Sequence, residues 1–292
     1  GIVFFTLLMI FPVDADNSAA SRLAAVAVLM AVWWVTDAIP LFATALLPLA
    51  LYPLLGIMRG AATAPIYFNS TIVLFLGGFM IALTMEKWNL HRRIALNIIH
   101  AVGGGPSRIV LGFMLAAAFL SMWISNTATA VMMVPIGLAM VLQLEDDFGK
   151  ERTHTFTVGL MLGIAYGCSV GGLTTLVGTP PNLSFIRIFA ILFPEAPPIA
   201  FGPWLVLALP IGLTLLTIAW FLITRVFYRT SDDITVDRAV VEVERSKLGS
   251  ISYEESVILT VFATTAMLWV FRVDLQLGFF TLPGWSRLLP FQ

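Results

Sequence analysis

The feature that most constrains this chain is a stretch without any charged residue, which runs from residue 109 to residue 144. At its centre stands WISNTATAVMMVPIG, residues 123–137, in which a serine, an asparagine and two threonines interrupt the apolar side chains. A run this apolar is typical of a segment inside a lipid bilayer, where an unpaired polar group costs several kcal/mol. The polar cluster therefore needs either partners within the membrane or a function.

The composition of the whole chain points the same way. Of its 292 residues, 59% are hydrophobic and 11% are charged, and the mean hydropathy is +0.94, whereas soluble domains carry about 25% charged residues. The sequence therefore predicts an all-α integral membrane protein. The single cysteine, Cys168, excludes a disulfide framework and a cysteine metal site. We predict no enzymatic activity, because the apolar segments carry neither metal ligands nor paired acids.

Several apolar segments approach the length of about 20 helical residues that a bilayer crossing requires. They cover residues 1–12, 23–38, 40–58, 70–86, 107–124, 127–144, 155–176, 180–194, 203–228 and 253–271. A further segment, 89–102, is predicted to lie at the membrane interface.

Lysine and arginine residues are enriched in the cytoplasmic loops of membrane proteins. If 107–144 enters and leaves by one face, eleven of the sixteen Lys and Arg residues fall on one side of the membrane and five on the other. This distribution predicts a cytoplasmic N-terminus and makes 229–252 a cytoplasmic linker with a short interfacial helix. The chain begins inside an apolar segment without a methionine, and we interpret it as part of a longer protein of the inner or plasma membrane.

The two arms that flank the polar cluster, 107–124 and 127–144, form either two full spans or a re-entrant hairpin. A full crossing exposes its turn among charged, Trp or Tyr residues at the far interface. Here the turn is small and neutral, with Trp123 as its one aromatic residue. We therefore predict a re-entrant helical hairpin, 107–144, whose tip stops near the middle of the membrane.

A second polar break, GGLTTLVGTPPN at 171–182, divides an apolar run that extends from 155 to 194. Thr179 is predicted to cap a helix that begins at Pro180, where the missing N–H of proline costs nothing. Two helix starts that meet in mid-membrane offer unpaired N–H groups to an anion. Hydroxyl and carbonyl oxygens beside them suit a small cation such as Na⁺. The pattern therefore predicts a combined anion and cation site.

A less specific interpretation is that Ser125 and Thr127 bond only to their own helix, and that the glycines only allow close packing. The amide of Asn126, which needs several partners when buried, and the presence of two such breaks favour a site. All seventeen carboxylates lie in loops or near segment ends, with Asp37 and Glu86 closest to the membrane. Coupling to Na⁺ is therefore preferred over coupling to protons, which uses intramembrane acids or histidines.

Two motifs, SMWISNTATAVMMVPI at 121–136 and GTPPN at 178–182, resemble the N-terminal half of the divalent anion/sodium symporters. These are the dicarboxylate, citrate and sulfate carriers related to solute carrier family 13, and the order of spans agrees over essentially the whole chain. The resemblance implies a multi-span bundle with a re-entrant hairpin and a broken helix, which forms one half of an inverted-repeat transporter. No second Ser-Asn-Thr occurs in the 292 residues, so we expect the second Na⁺ site and the other half of the substrate site to lie outside them.

The resemblance also implies roles for individual residues. The groups implied to bind Na⁺ belong to Ser121, Ser125, Asn126 and Gly178. The groups implied to contact the substrate carboxylate belong to Asn126, Thr127, Thr179 and Pro180.

Members of this family are homodimers in which a transport domain moves like an elevator against a scaffold domain. The resemblance assigns helices in 1–106 to the scaffold and 107–228 to the transport region. That region would comprise the hairpin 107–144, the broken helix 155–194 and the span 203–228. Residues 253–292, after the linker, would begin the scaffold of the second repeat.

The predicted function is secondary active transport, in which Na⁺ is carried together with a dianionic metabolite, in particular a C4-dicarboxylate such as succinate. Three alternatives stay open: a Na⁺-independent dicarboxylate exchanger, a sulfate carrier, and an exporter of arsenite-type oxyanions from the wider ion-transporter superfamily. The expected partners are a small di- or tricarboxylate (or sulfate), Na⁺, membrane lipid and a second copy of the chain, with no nucleic acid.

Overall fold

The computed structural model describes residues 1–14, 16–229, 239–278 and 280–289, with the backbone alone at residues 239 and 240. Nearly all of this described chain is helical, apart from connections and two short strands. Within it, five helices are long and apolar enough to cross a membrane. The prediction of an all-α integral membrane fold is confirmed.

The chain divides into two compact units, and the first is Gly1–Val73. Its helices are α1 (Ile2–Ile10), α2 (Ser18–Thr36), α3 (Leu41–Leu54) and α4 (Gly60–Tyr67), followed by the first turn of α5 (Ser70–Lys87). The Asn17 side chain caps α2 by accepting a hydrogen bond from the Ala20 N–H at 3.0 Å. Arg22 of α2 donates to the Leu55 carbonyl at the end of α3, at 2.6 Å.

The second unit is Leu74–Gln292. Beyond α5 it contains α6 (Leu90–Val102), α7 (Pro106–Ser121), α8 (Asn126–Phe148), α9 (Lys150–Thr174), α10 (Pro180–Leu192), α11 (Phe201–Phe221, continued by a π-helical turn, Leu222–Phe227), α12 (Ala239–Ser246), α13 (Tyr253–Val270), β1 (Leu275–Gln276), β2 (Thr281–Leu282) and a 3₁₀ turn (Trp285–Leu288). The two strands pair antiparallel as a hairpin.

The core of the second unit lies where α9 packs against α7. Gly163, Gly167 and Gly171 recur every four residues and therefore share one face of α9. A Cβ atom on Gly171 would lie 2.1 Å from the Ala118 carbonyl oxygen, so only glycine permits the two backbones to approach this closely. Elsewhere along the two helices, Phe113 of α7 and Phe156 of α9 are fully buried. The expectation that some glycines serve close packing is correct for this face.

Both predicted breaks in the apolar segments are confirmed, with changed boundaries. Helix α7 ends at Ser121 rather than 124, and α8 begins at Asn126. Residues 122–125 form a short connecting turn, called here the first unwound segment, in which the N–H groups of Met122 and Ile124 still bond to carbonyls of α7. Helix α9 ends at Thr174 and α10 begins at Pro180. The 16 residues of α7 span about 24 Å, which is less than a hydrocarbon core of about 30 Å, whereas α8 is long enough to cross a membrane. The re-entrant course of 107–144 stays a prediction.

The predicted linker 229–252 contains the short helix α12, while its residues 230–238 lie outside the described chain. Two adjacent arginines of α6 hold the described part. Arg92 pairs with Glu244 of α12, and Arg93 donates two bonds of 2.9 Å to Glu255 at the start of α13. A hydrogen bond from Lys247, with the positive charges of Lys247 and Arg92, lowers the pKa of Glu244.

Two elements were not predicted from the sequence. Helix α4 contains Pro65 and spans only 8 residues, and it lies between the predicted segments 40–58 and 70–86. The β1–β2 hairpin has two residues in each strand, too few to show an alternation of apolar and polar side chains. An ion pair between Asp274 and Arg287 closes this region.

Candidate functional site

The first unwound segment, residues 122–125, ends in a capped helix start. Ser125 occupies the N-cap position of α8, and its hydroxyl accepts a hydrogen bond from the Ala128 N–H at 3.3 Å. Trp123 precedes it and packs against aromatic rings of α11 and α13, with ring centroids 6.0 Å from Phe201 and 5.0 Å from Phe262. The connection between α7 and α8 is thus held by a polar cap on one side and by aromatic contacts on the other.

A hydrogen bond between side chains spans this unwound segment. The hydroxyl of Ser121, which is fully buried, donates to Oδ1 of Asn126 at 2.6 Å. The same Oδ1 lies against α9, since a Cβ atom on Gly172 would come within 2.3 Å of it. Asn126 therefore fills the space that the missing side chain of Gly172 leaves open.

The second unwound segment, residues 175–179, is stabilised by two buried side chains. Asn182, in the first turn of α10, donates from Nδ2 to the carbonyls of Gly172 at 2.9 Å and Thr175 at 2.7 Å. The Thr175 hydroxyl accepts from the Gly178 N–H at 3.1 Å and donates to the Met122 carbonyl of the first segment. These bonds satisfy backbone groups that would otherwise be unpaired in the membrane.

The two unwound segments meet at Gly178. A Cβ atom added there would lie 2.7 Å from the Gly172 carbonyl oxygen and 2.9 Å from the Ser121 carbonyl oxygen. Beside this contact is a small open crevice, whose lining includes Ser125, Gly178 and Pro180. Residues from both breaks thus converge on one small region.

The chemistry of this region is that of neutral oxygen atoms. No group of three or more His, Cys, Asp or Glu residues that could hold a metal ion occurs in the described chain. The converging groups are instead backbone carbonyls, the Ser121 hydroxyl and the Asn126 amide, and neutral oxygens of this kind bind hard cations. The adjacent starts of α8 and α10 present positive dipole ends, which favour an anion nearby.

Comparison of the sequence with known protein families identifies the family of this chain. A family model described as the sodium:sulfate symporter transmembrane region matches residues 1–282. The chain belongs to the sodium:sulfate symporter family. The predicted resemblance is thereby confirmed.

Two similar curated members of the sodium:sulfate symporter family come from staphylococci, and both are named sodium-dependent dicarboxylate transporter SdcS. The protein of Staphylococcus saprophyticus is 37% identical over 276 residues, which cover 93% of this chain and 53% of the relative. The protein of Staphylococcus aureus is likewise 37% identical over 276 residues, with 52% of its length covered. The chain thus spans about half the length of the curated relatives that it matches.

The structure brings together only part of the site that the family resemblance implies. Ser121 connects the two breaks, since its hydroxyl bonds to Asn126 and its carbonyl oxygen faces Gly178. Thr127 is exposed and Thr179 is partly exposed, and neither lines the crevice. In the described chain neither threonine hydroxyl makes a hydrogen bond, so the alternative of bonding within the same helix does not hold for Thr127. It does hold for Ser125, whose hydroxyl bonds to the Ala128 N–H of α8. Thr179 does occupy the predicted N-cap position of α10, although its side chain forms no cap bond.

Two residues of this family member were missed as parts of the site, although both lie in the stretch 171–182. The hydroxyl of Thr175 and the side-chain amide of Asn182 order the second break, and both side chains are buried. Asn182 carried a signal in the sequence, because a buried amide in an apolar segment needs several partners. Thr175 carried no signal that distinguishes it from Thr174.

We expect replacement of Asn182 by alanine to destabilise the full-length protein. The change leaves the Gly172 and Thr175 carbonyls without their donor. Each buried unpaired group costs about 1–3 kcal/mol, so the free energy of unfolding should fall by roughly 2–6 kcal/mol. Thermal unfolding in detergent measures the effect, with the exposed Asn97 of α6, replaced by alanine, as the matched control. An unfolding temperature equal to that of the control would contradict this role.

Proposed function

We propose that this chain forms one half of a secondary active transporter that carries Na⁺ together with a C4-dicarboxylate such as succinate. The single observation that carries the proposal is the meeting of the two helix breaks at Ser121, whose hydroxyl bonds to Asn126 and whose carbonyl oxygen faces Gly178. The names of the staphylococcal relatives support the ion and the class of substrate. Membership of a symporter family supports transport rather than catalysis.

The cation is proposed to bind to oxygens of Ser121, Ser125, Asn126 and the backbone at Gly178. Ser121 and Asn126 are already hydrogen-bonded at 2.6 Å, and the Ser121 carbonyl faces Gly178. Because these groups are neutral, a bound Na⁺ adds a positive charge next to the starts of α8 and α10. This charge strengthens the attraction for an anion, which explains why binding of the two ligands would be coupled.

The anion is proposed to lie on the other side of the same helix starts, against Asn126, Thr127, Thr179 and Pro180. The hydroxyls of Thr127 and Thr179 have no hydrogen-bond partner in the described chain, so both are available to a ligand. Pro180 lines the crevice beside Gly178. The start of α10 adds the positive end of its helix dipole, since Pro180 and Pro181 carry no N–H and the Asn182 N–H is bonded to the Thr179 carbonyl.

The arrangement in the membrane is part of the same proposal. The 16-residue length of α7 and the uncharged tip support a re-entrant hairpin at 107–144, opening to the cytoplasm on the side of the N-terminus. Residues 107–228 would then move as an elevator-type transport region against scaffold helices in 1–106 and 253–292, within a homodimer. These assignments rest on the family and on the distribution of basic residues.

We expect Thr127→Val and Thr179→Val, made in the full-length transporter, to raise the KM for succinate by about ten- to a hundredfold at saturating Na⁺. Each change keeps the shape of the side chain and removes one hydroxyl, and a hydrogen bond to a charged group contributes about 1.5–3 kcal/mol. The measurement is uptake of labelled succinate into proteoliposomes under an inward Na⁺ gradient, compared with an equal K⁺ gradient.

Thr217→Val is the matched control, because the Thr217 hydroxyl bonds to the Leu213 carbonyl of its own helix at 2.8 Å. Its KM should equal that of the unmodified protein. A wild-type KM in both Thr127→Val and Thr179→Val would remove the two hydroxyls from the substrate site. Equal uptake under Na⁺ and K⁺ gradients would contradict Na⁺ symport and would indicate Na⁺-independent exchange.

A further inference from the structure

We infer that Thr175 is a positioning residue whose hydroxyl joins the two helix breaks and thereby sets the affinity of the cation site. The inference rests on the proposed function, because it concerns how the proposed Na⁺ ligands are held at their separation. Thr175 itself is not assigned as a ligand.

The Thr175 side chain is placed to make such a connection. It is the first residue after α9, with an extended backbone (φ −127°, ψ 159°), and it is fully buried. Its hydroxyl donates to the carbonyl of Met122 and accepts from the N–H of Gly178 at 3.1 Å. One hydroxyl thus contacts the first unwound segment and the second unwound segment at the same time.

One of the two groups bonded to Thr175 is next in sequence to a proposed cation ligand, and the other belongs to a proposed ligand. Met122 directly follows Ser121, and the N–H belongs to Gly178. The Ser121 carbonyl oxygen lies 2.9 Å from the position of a Cβ on Gly178, so the two segments are separated by little more than van der Waals contact. A cation site works only when its ligands are held within a fraction of an ångström, and such precision comes from supporting hydrogen bonds.

Neighbouring polar side chains do not make this connection. Asn182 bonds only to carbonyls before and within the second segment, those of Gly172 and Thr175. Thr174 donates to the Gly171 carbonyl of its own helix at 2.6 Å. Of the side-chain hydrogen bonds in the described chain, the bond from Thr175 to Met122 is the one that joins the two unwound segments. Removal of the Thr175 hydroxyl should therefore change the separation of the two unwound segments rather than the structure of either helix.

The test compares Thr175→Val and Thr175→Ser with Thr174→Val in the full-length transporter. Valine keeps the shape of threonine and removes the hydroxyl, whereas serine keeps the hydroxyl. We expect Thr175→Val to raise the Na⁺ concentration for half-maximal succinate uptake by about tenfold. Thr175→Ser should stay within about twofold of the unmodified protein, and Thr174→Val should leave the Na⁺ requirement unchanged. The KM for succinate at saturating Na⁺ should change less than the Na⁺ requirement in Thr175→Val.

Two results would overturn the inference. The first is a normal Na⁺ requirement in Thr175→Val, and the second is an equal defect in Thr175→Ser, which would indicate packing rather than hydrogen bonding. If the valine variant does not fold, Thr175→Ala removes the hydroxyl without the branched side chain and is measured in the same way. Loss of folded protein in both variants, with Thr174→Val intact, would make the hydroxyl a requirement of the fold and would also overturn a specific effect on the cation.

A second measurement separates this inference from the proposed function. The rise in unfolding temperature caused by NaCl, relative to KCl, reports cation binding to the purified protein without transport. If the unmodified protein carries no succinate but is stabilised by Na⁺, the proposed function fails. The inference then still predicts a smaller Na⁺ stabilisation in Thr175→Val than in Thr175→Ser. If Na⁺ does not stabilise the unmodified protein at all, the inference fails as well.

Discussion

Replacement of Gly172 by alanine is expected to reduce Na⁺-driven succinate uptake by about a hundredfold or more while the protein remains folded. The added Cβ would lie 2.3 Å from Oδ1 of Asn126, which is the end of a side chain and can move away. Its displacement breaks the hydrogen bond to Ser121 and removes one oxygen from each proposed ligand set. Losing two or more such interactions, at about 1.5 kcal/mol each, accounts for the size of the effect.

Two other glycines serve as comparisons for Gly172→Ala. In Gly77→Ala the new Cβ meets no atom within 4 Å, so uptake should be unchanged. In Gly171→Ala the Cβ would come within 2.1 Å of the Ala118 backbone, which cannot move independently, so the amount of folded protein should fall. Uptake in proteoliposomes and size-exclusion profiles distinguish the three variants. Full uptake by Gly172→Ala would show that the position of Asn126 does not matter for transport.

Asn126→Ala is expected to weaken the response of uptake to Na⁺ and its response to succinate together. The ratio of the maximal uptake rate to KM should fall by about a hundredfold. The amide oxygen of Asn126 accepts from Ser121 at 2.6 Å, beside the proposed cation, and the residue also begins the helix whose start faces the anion. Its removal leaves the buried Ser121 hydroxyl without an acceptor and takes away a group shared by both ligands, so the losses add.

Asn97→Ala is the control for Asn126→Ala, since Asn97 is an exposed asparagine on α6. Kinetics are measured by varying Na⁺ at fixed succinate and succinate at fixed Na⁺. If Asn126→Ala impaired the response to only one of Na⁺ and succinate, Asn126 would contact that ligand alone, which would contradict its proposed role in binding both.

The breaks in the helices could be predicted because their signals are local. Serine, as at position 125, is a common helix-capping residue. Proline, as at position 180, disrupts a helix unless it lies in the first turn. The structure places Ser125 at the N-cap of α8 and Pro180 at the start of α10. The boundary of α7 was predicted three residues too late, because Met122, Trp123 and Ile124 are apolar and give no sign that the helix ends at Ser121.

The contacts that order the site could not be predicted, because they join residues distant in sequence. Thr174 and Thr175 are adjacent and chemically identical, yet one bonds within its own helix and the other reaches Met122, 53 positions earlier. The difference arises because α9 ends between them, so that Thr175 has an extended backbone and points its hydroxyl away from the helix. Pairing of Asn126 with Gly172 likewise depends on how α8 and α9 pack, which no local pattern encodes.

The central claim is that the two helix breaks form one site at which Na⁺ and a dicarboxylate bind together. Calorimetric titration of succinate into the purified full-length protein, in NaCl and in KCl of equal ionic strength, tests it most directly. We predict binding in NaCl, binding at least about tenfold weaker in KCl, and binding to Asn126→Ala in NaCl that is about a hundredfold weaker than to the unmodified protein. Equal affinity in the two salts, or unchanged affinity in Asn126→Ala, would contradict the claim.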